Sequence, residues 1–247
     1  MKKLRLIGAI AYVCLLTTPT LVTAAPIYDT FGSFPDATWG GSGIPNDAVA
    51  ASTQFYDGTT LIRIAMSATQ RYSNPAPTNN GAGVYYAHTG SNFGGASESA
   101  TEGALWNFNF FVEITDSTDP AVGIDDYDIN LFYDFDPGTN TPKNQLGIID
   151  LDAWSAAAQP AGSNLFEGSE NLMFSWLSNP NYVIVPQIGS FDPNAIGEYH
   201  FGIEVAKDGW NVEAVAIDVQ TVPVPAAVWL FGSGLLGLVG IARRKKT

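Results

Sequence analysis

Two stretches of the chain alternate apolar and polar residues with a period of two. In residues 105–114, Trp106, Phe108, Phe110, Val112 and Ile114 alternate with Asn107, Asn109, Phe111 and Glu113. In residues 127–135, Ile129, Leu131, Tyr133 and Phe135 alternate with Asp128, Asn130, Phe132 and Asp134. Successive side chains of a strand point to opposite faces, so the spacing predicts two strands, each with one buried face. Their connection, residues 115–126, is acidic, and the two are expected to pair as a hairpin. Residues 198–206 repeat the pattern, with Tyr199, Phe201, Ile203 and Val205 on one face and His200, Gly202 and Glu204 on the other. Lys207-Asp208-Gly209 then reads as a tight turn, and residues 210–219 as the returning strand. By this phase His200 belongs on the polar surface.

Shorter strands are expected at 28–31, 61–66, 84–88, 145–154, 171–177 and 182–185. Turn sequences such as Phe135-Asp136-Pro137-Gly138 and Phe191-Asp192-Pro193-Asn194 separate them. No helical 3.6-residue period is sustained between the two ends of the chain. The pattern predicts an all-β fold: a single β-sandwich domain over residues 25–221, jelly-roll or immunoglobulin-like. Trp106 and Trp210 are expected on its buried face or at its edge.

The two ends have a different pattern. Met1-Lys2-Lys3-Leu4-Arg5 is basic, residues 6–16 are apolar, and Val22-Thr23-Ala24 offers small residues for cleavage. This is the layout of a signal peptide, residues 1–24, read by the Sec translocon and cut by signal peptidase after Ala24, with Ala25 as the neighbouring alternative. An uncleaved N-terminal anchor is the other reading. Cys14 follows the bulky Val13, which does not suit a lipoprotein signal, so it leaves with the peptide.

At the C-terminus, Val222-Pro223-Val224-Pro225-Ala226 ends any preceding strand, because proline removes a backbone donor and fixes φ. An uncharged apolar run follows, then Arg243-Arg244-Lys245-Lys246-Thr247. As a helix, residues 226–242 would be about 26 Å long at roughly 1.5 Å per residue, near the short end of what spans a bilayer core of about 30 Å. The basic stop, Arg243 to Lys246, favours the cytoplasmic side. An ordinary membrane anchor has this layout too. The combination of Val222-Pro223-Val224-Pro225-Ala226-Ala227, the Trp229-Leu230-Phe231-Gly232 stretch and the basic end resembles the PEP-CTERM class of bacterial sorting signals, specifically its VPLPA-CTERM variant, with Val224 in place of the usual Leu. The resemblance implies an exosortase substrate: recognition by an exosortase-type membrane protease, removal of the tail over 222–247, and delivery from a membrane-anchored precursor to the surface of a Gram-negative cell. Leu105-Trp106-Asn107-Phe108, Asp125-Asp126-Tyr127 and Asp134-Phe135-Asp136-Pro137-Gly138 are also similar to segments of PEP-CTERM surface proteins, which implies no activity.

Charge sharpens this picture. Arg63, Arg71, Lys143 and Lys207 are the only basic residues between the two ends, against all 24 acidic ones, a formal charge of −20 for residues 25–221. Such a body does not bind nucleic acid, which requires clustered Lys and Arg. It suits divalent cations. Asp134, Asp136 and Asn140 place oxygens at alternate positions of one loop, as a calcium loop does, and Asp125, Asp126 and Asp128 form a second acidic group. The same residues also read as Asx turns and solvated strand ends. No cofactor other than calcium is suggested. Residues 25–221 contain no Cys and only two histidines, His88 and His200, so zinc and thiol chemistry are not expected. Gly-x-Ser-x-Gly is absent there, and no carboxylate pair is singled out for glycan hydrolysis. The expectation is a non-enzymatic, structural or adhesive protein of an exopolysaccharide or biofilm matrix. A carbohydrate- or calcium-binding module is the alternative, and a glycan hydrolase a more distant one.

Overall fold

The computed structural model describes residues 25–41, 44–45, 47–92, 103–178 and 182–223. In chain order the strands are β1 (Thr30–Ser33), β2 (Val49–Asp57), β3 (Thr60–Gln70), β4 (Thr78–Asn79), β5 (Val84–His88), β6 (Ser91–Asn92), β7 (Gly103–Ala104), β8 (Trp106–Asp116), β9 (Asp128–Tyr133) and β10 (Gly147–Asp150). A two-turn helix, α1 (Leu151–Ala158), follows. Then come β11 (Leu165–Glu170), β12 (Val183–Ile184), β13 (Glu198–Lys207) and β14 (Trp210–Val222). The all-β class expected from the alternation is the one the chain adopts.

One sheet has the order β1-β2-β3-β8-β11 and the other β12-β10-β9-β13-β14-β5-β4, with β6 and β7 forming a separate small ribbon. The predicted inward rows meet in one cluster. Trp106, Phe108, Phe110, Val112 and Ile114 of β8, with Ile62, Ile64 and Met66 of β3, pack with Ile129 and Leu131 of β9, Phe201 and Ile203 of β13 and Ile217 of β14. Phe108 of one sheet stacks on Phe201 of the other at 4.8 Å between ring centroids. A smaller cluster covers the outer face of the five-stranded sheet, where Trp39 and Ala37 pack on Phe111, Ala50 and Ala65.

The β13–β14 hairpin forms as expected, with Asp208 and Gly209 both at positive φ, the backbone of a type I′ turn. A two-residue turn alone would set an odd-numbered inward residue of β13 opposite an even-numbered residue of β14. The inward rows of both strands are odd. The register shift between Val205 and Ala206 resolves the mismatch, so that Phe201 faces Ile217 and His200 faces Asp218.

Several expectations are corrected. The strands read at 105–114 and 127–135 do not pair: β8 lies between β3 and β11, and β9 between β10 and β13, in the other sheet. Their connection crosses between the layers through a turn in which Asp116 accepts the Thr118 and Asp119 amides at 2.7 and 2.8 Å. The strand read at 145–154 stops at Asp150, which caps α1 by accepting the Ala153 amide at 2.9 Å. The strand read at 171–177 lies earlier, as β11, and Ser175–Ser178 is a 3-10 turn. Trp106 is buried, but Trp210 is 78% exposed beside the hairpin turn. Among the described residues no helix is long and apolar enough to cross a membrane. Residues 1–24, read from the sequence as a signal peptide, and the apolar run 226–242 lie outside those residues.

Candidate functional site

The six acidic-loop residues singled out in the sequence fall at opposite ends of β9, a six-residue strand of about 20 Å. Asp134 is buried at one end and accepts the Asp136 amide at 2.8 Å. Asp136 in turn accepts the Gly138 amide at 2.9 Å, and Asn140 adopts a left-handed backbone. Burial pushes the Asp134 carboxyl above its usual range, against the pull of the Asp136 amide and of His200. At the other end Asp126 accepts the Gly123 amide at 2.9 Å and Asp125 the Gly162 amide at 3.3 Å, while Asp128 is exposed. The two groups cannot share one ion.

A groove of about 490 Å³ runs along β11, the edge strand of the five-stranded sheet. Tyr72, Trp154 and Phe174 contribute rings, and Gln70, Asn107, Glu167 and Glu170 contribute amides and carboxyls. The Arg71 guanidinium lies 4.7 Å from the Tyr72 ring centroid and 5.0 Å from that of Phe174. Tyr72 is 44% exposed and held at φ +53°, an uncommon backbone for a bulky residue. Trp154 is fixed from below by Phe166 at 5.0 Å and Trp176 at 4.8 Å. Glu167 holds the overlying loop by accepting the Thr38 and Trp39 amides, each at 2.9 Å, and the Thr38 hydroxyl. Glu170 is buried, and burial pushes its carboxyl up to about 8 against a hydrogen bond from Trp176. It is therefore neutral over much of the physiological range.

A third arrangement lies on the outer face of the seven-stranded sheet. Glu198 and His200 project from β13 on one face, and Asp218 faces His200 from β14. His200 Nδ1 lies 2.7 Å from Asp218 Oδ1, and Nε2 lies 3.7 Å from Glu198 Oε1. The sequence phase put His200 on the correct face but misjudged its exposure: it is 4% exposed. Neighbouring strands flank it on both sides, with Asp134 at the end of β9 close enough to act on its charge. Burial alone would lower the His200 pKa, but Asp218, Asp134 and Glu198 reverse this and raise it. Burial raises that of Asp218, and His200 opposes it. A groove of about 450 Å³ lined by Ile27, Phe132 and Ala216 opens beside the pair. His88 is half-buried at the end of β5.

Sequence reasoning missed Glu167, Glu170, Glu198 and Asp218. Each lies within a strand, outside the acidic loops, and only sheet pairing reveals its company. The one available signal was the odd-even conflict in the β13–β14 hairpin, whose resolution brings residue 200 opposite residue 218.

Residues 221–246 match the PEP-CTERM protein-sorting motif. The match begins on the last two residues of β14 and includes Val222 and Pro223; Val224, Pro225, Ala226 and Arg243 to Lys246 lie outside the described residues. No curated protein and no solved structure matches the chain. The motif implies processing by exosortase, a membrane protein, and an exported, membrane-anchored precursor sorted to the cell surface.

Proposed function

We propose, from the sorting motif that overlaps the end of β14, that the mature protein is a structural or adhesive component of an exopolysaccharide matrix at the surface of a Gram-negative cell. In this reading a Sec signal peptide is removed at Ala24 or Ala25. The exosortase cut falls within or after Val222-Pro223-Val224-Pro225-Ala226. The two facing sheets form one β-sandwich domain, jelly-roll or immunoglobulin-like, that needs no catalytic centre.

The groove along β11 carries the adhesive part of the proposal. Rings from Tyr72, Trp154 and Phe174 lie beside the amides of Gln70 and Asn107 and the Glu167 carboxylate. Aromatic faces stack on sugar rings, while amides and carboxylates take sugar hydroxyls. The acidic body favours neutral polysaccharide over anionic polymers, since like charges repel.

A cut beyond Val222 spares the pairing of β14 with β5. Val222 is the last β14 residue in register with β5, opposite His88, and Thr221 is fixed by its hydroxyl, which donates to the Ala195 carbonyl at 2.9 Å. The test is retention on neutral polysaccharide columns, comparing the wild type with Tyr72→Ala. Retention that falls in the variant at unchanged melting temperature supports binding in this groove. Equal elution of both proteins at the void position rejects it, and turnover of a glycan panel would replace adhesion with hydrolysis.

A further inference from the structure

The Glu198–His200–Asp218 arrangement is independent of the groove along β11 and of the sorting motif. We propose that it is a zinc-binding site, with His200 Nε2 and Glu198 as direct ligands and Asp218 orienting the imidazole.

Strand geometry creates the site. Residues 198 and 200 point to the same face because side chains alternate, and the shifted hairpin register delivers Asp218 opposite His200. Ligand atoms of all three residues lie within 4.8 Å of one another. At 2.7 Å, the Nδ1–Asp218 contact is a hydrogen bond, and because an ionised carboxylate can only accept, Nδ1 donates to it when Asp218 is charged. In the neutral ring the lone pair is then on Nε2. That atom is buried and has no hydrogen-bond partner. Its 3.7 Å separation from Glu198 Oε1 is too long for a hydrogen bond. It is close to the roughly 3.4 Å expected between two ligands of one tetrahedral zinc, from Zn–N and Zn–O distances of about 2.0–2.2 Å. A carboxylate that fixes the far nitrogen of a metal-binding histidine is the usual outer support of such a ligand.

The surroundings also suit a cation. Asp134, Asp218 and Glu198 all bear on His200 electrostatically. The adjoining groove is lined by His200 and Asp218. The mixed nitrogen and oxygen donors favour zinc over calcium, which takes oxygen ligands alone.

The decisive experiment is isothermal titration of zinc into the purified full-length chain after chelator treatment, at neutral pH. One equivalent is expected to bind to the wild type and to His88→Gln. His200→Gln is expected to weaken binding tenfold or more, and Asp218→Asn by ten- to a hundredfold as an orienting residue. Circular dichroism establishes that each variant is folded. If a variant does not fold, nitrogen NMR of the wild-type imidazoles supplies the readout: zinc should shift His200 Nε2 and leave Nδ1 protonated. Absence of binding to the wild type overturns the site, as does binding that survives His200→Gln or is lost in His88→Gln. A His200 resonance unmoved by zinc overturns it as well.

Discussion

Glu167 and Trp39 are 128 residues apart in sequence, yet the Glu167 carboxylate accepts the Trp39 amide at 2.9 Å. The same carboxylate takes the Thr38 amide and hydroxyl. It thereby pins the segment that carries Trp39, fully buried at φ +56°, onto the outer face of the five-stranded sheet. Glu167→Ala would leave these donors without their acceptor. The expected loss is about 1–3 kcal/mol, read as a lower urea midpoint with an unchanged slope. Glu167→Gln should lose less, because the amide retains one acceptor oxygen.

Glu170 makes stability depend on pH. Its carboxyl is raised from 4.5 to about 8 in the folded protein, so the folded state keeps a proton that the unfolded chain releases. Stability from this group is therefore highest below about pH 4.5, falls as pH rises, and levels off above about pH 8. The total change is on the order of a few kcal/mol. Thermal melts across this window should show the decline in the wild type and a flatter profile in Glu170→Gln. Parallel profiles would mean that Glu170 is ionised in the fold.

Phe108 and Phe201 join the two sheets through their 4.8 Å stack. Both are at most 1% exposed. Phe108→Ala is expected to cost about 3–5 kcal/mol, measured by denaturant unfolding, and to lower the midpoint for both sheets together. Separate transitions would show that the sheets do not share one cooperative core.

Gly168 faces the Phe110 ring, and a Cβ there would lie 2.5 Å from Phe110 Cε1. Gly168→Ala should therefore destabilise by about 1–3 kcal/mol through overpacking, with the shift confined to β11 and β8 in amide hydrogen exchange. A neutral effect would indicate that the edge strand moves aside freely.

The parts of this fold that could be read from sequence are those fixed by local pattern. The inward rows of β8, β9 and β13 follow from alternation, and the β13–β14 turn follows from Asp208-Gly209. Alternation identifies a buried face but not the strand beside it, which is why β8 and β9, similar in pattern, end in different sheets. β11 was hidden because Gly168 and Glu170 occupy inward positions where a large apolar residue would have marked a strand. α1 had a readable start in Asp150, an N-cap residue followed by helix-forming alanines, but two turns are too short to establish a 3.6-residue period. The candidate sites were least legible. Glu198, His200 and Asp218 meet only through a one-residue bulge, and the groove along β11 gathers residues from segments far apart in sequence.

The sorting motif at residues 221–246 implies export of the protein to the cell surface. Intact mass spectrometry of the protein released from the surface of the producing cells tests this most directly. The predicted result is a species that begins at Ala25 or Pro26, ends close to Val222-Pro223-Val224-Pro225-Ala226, and lacks the apolar run and Arg243 to Lys246. A mature surface species that retains Thr247 would contradict it.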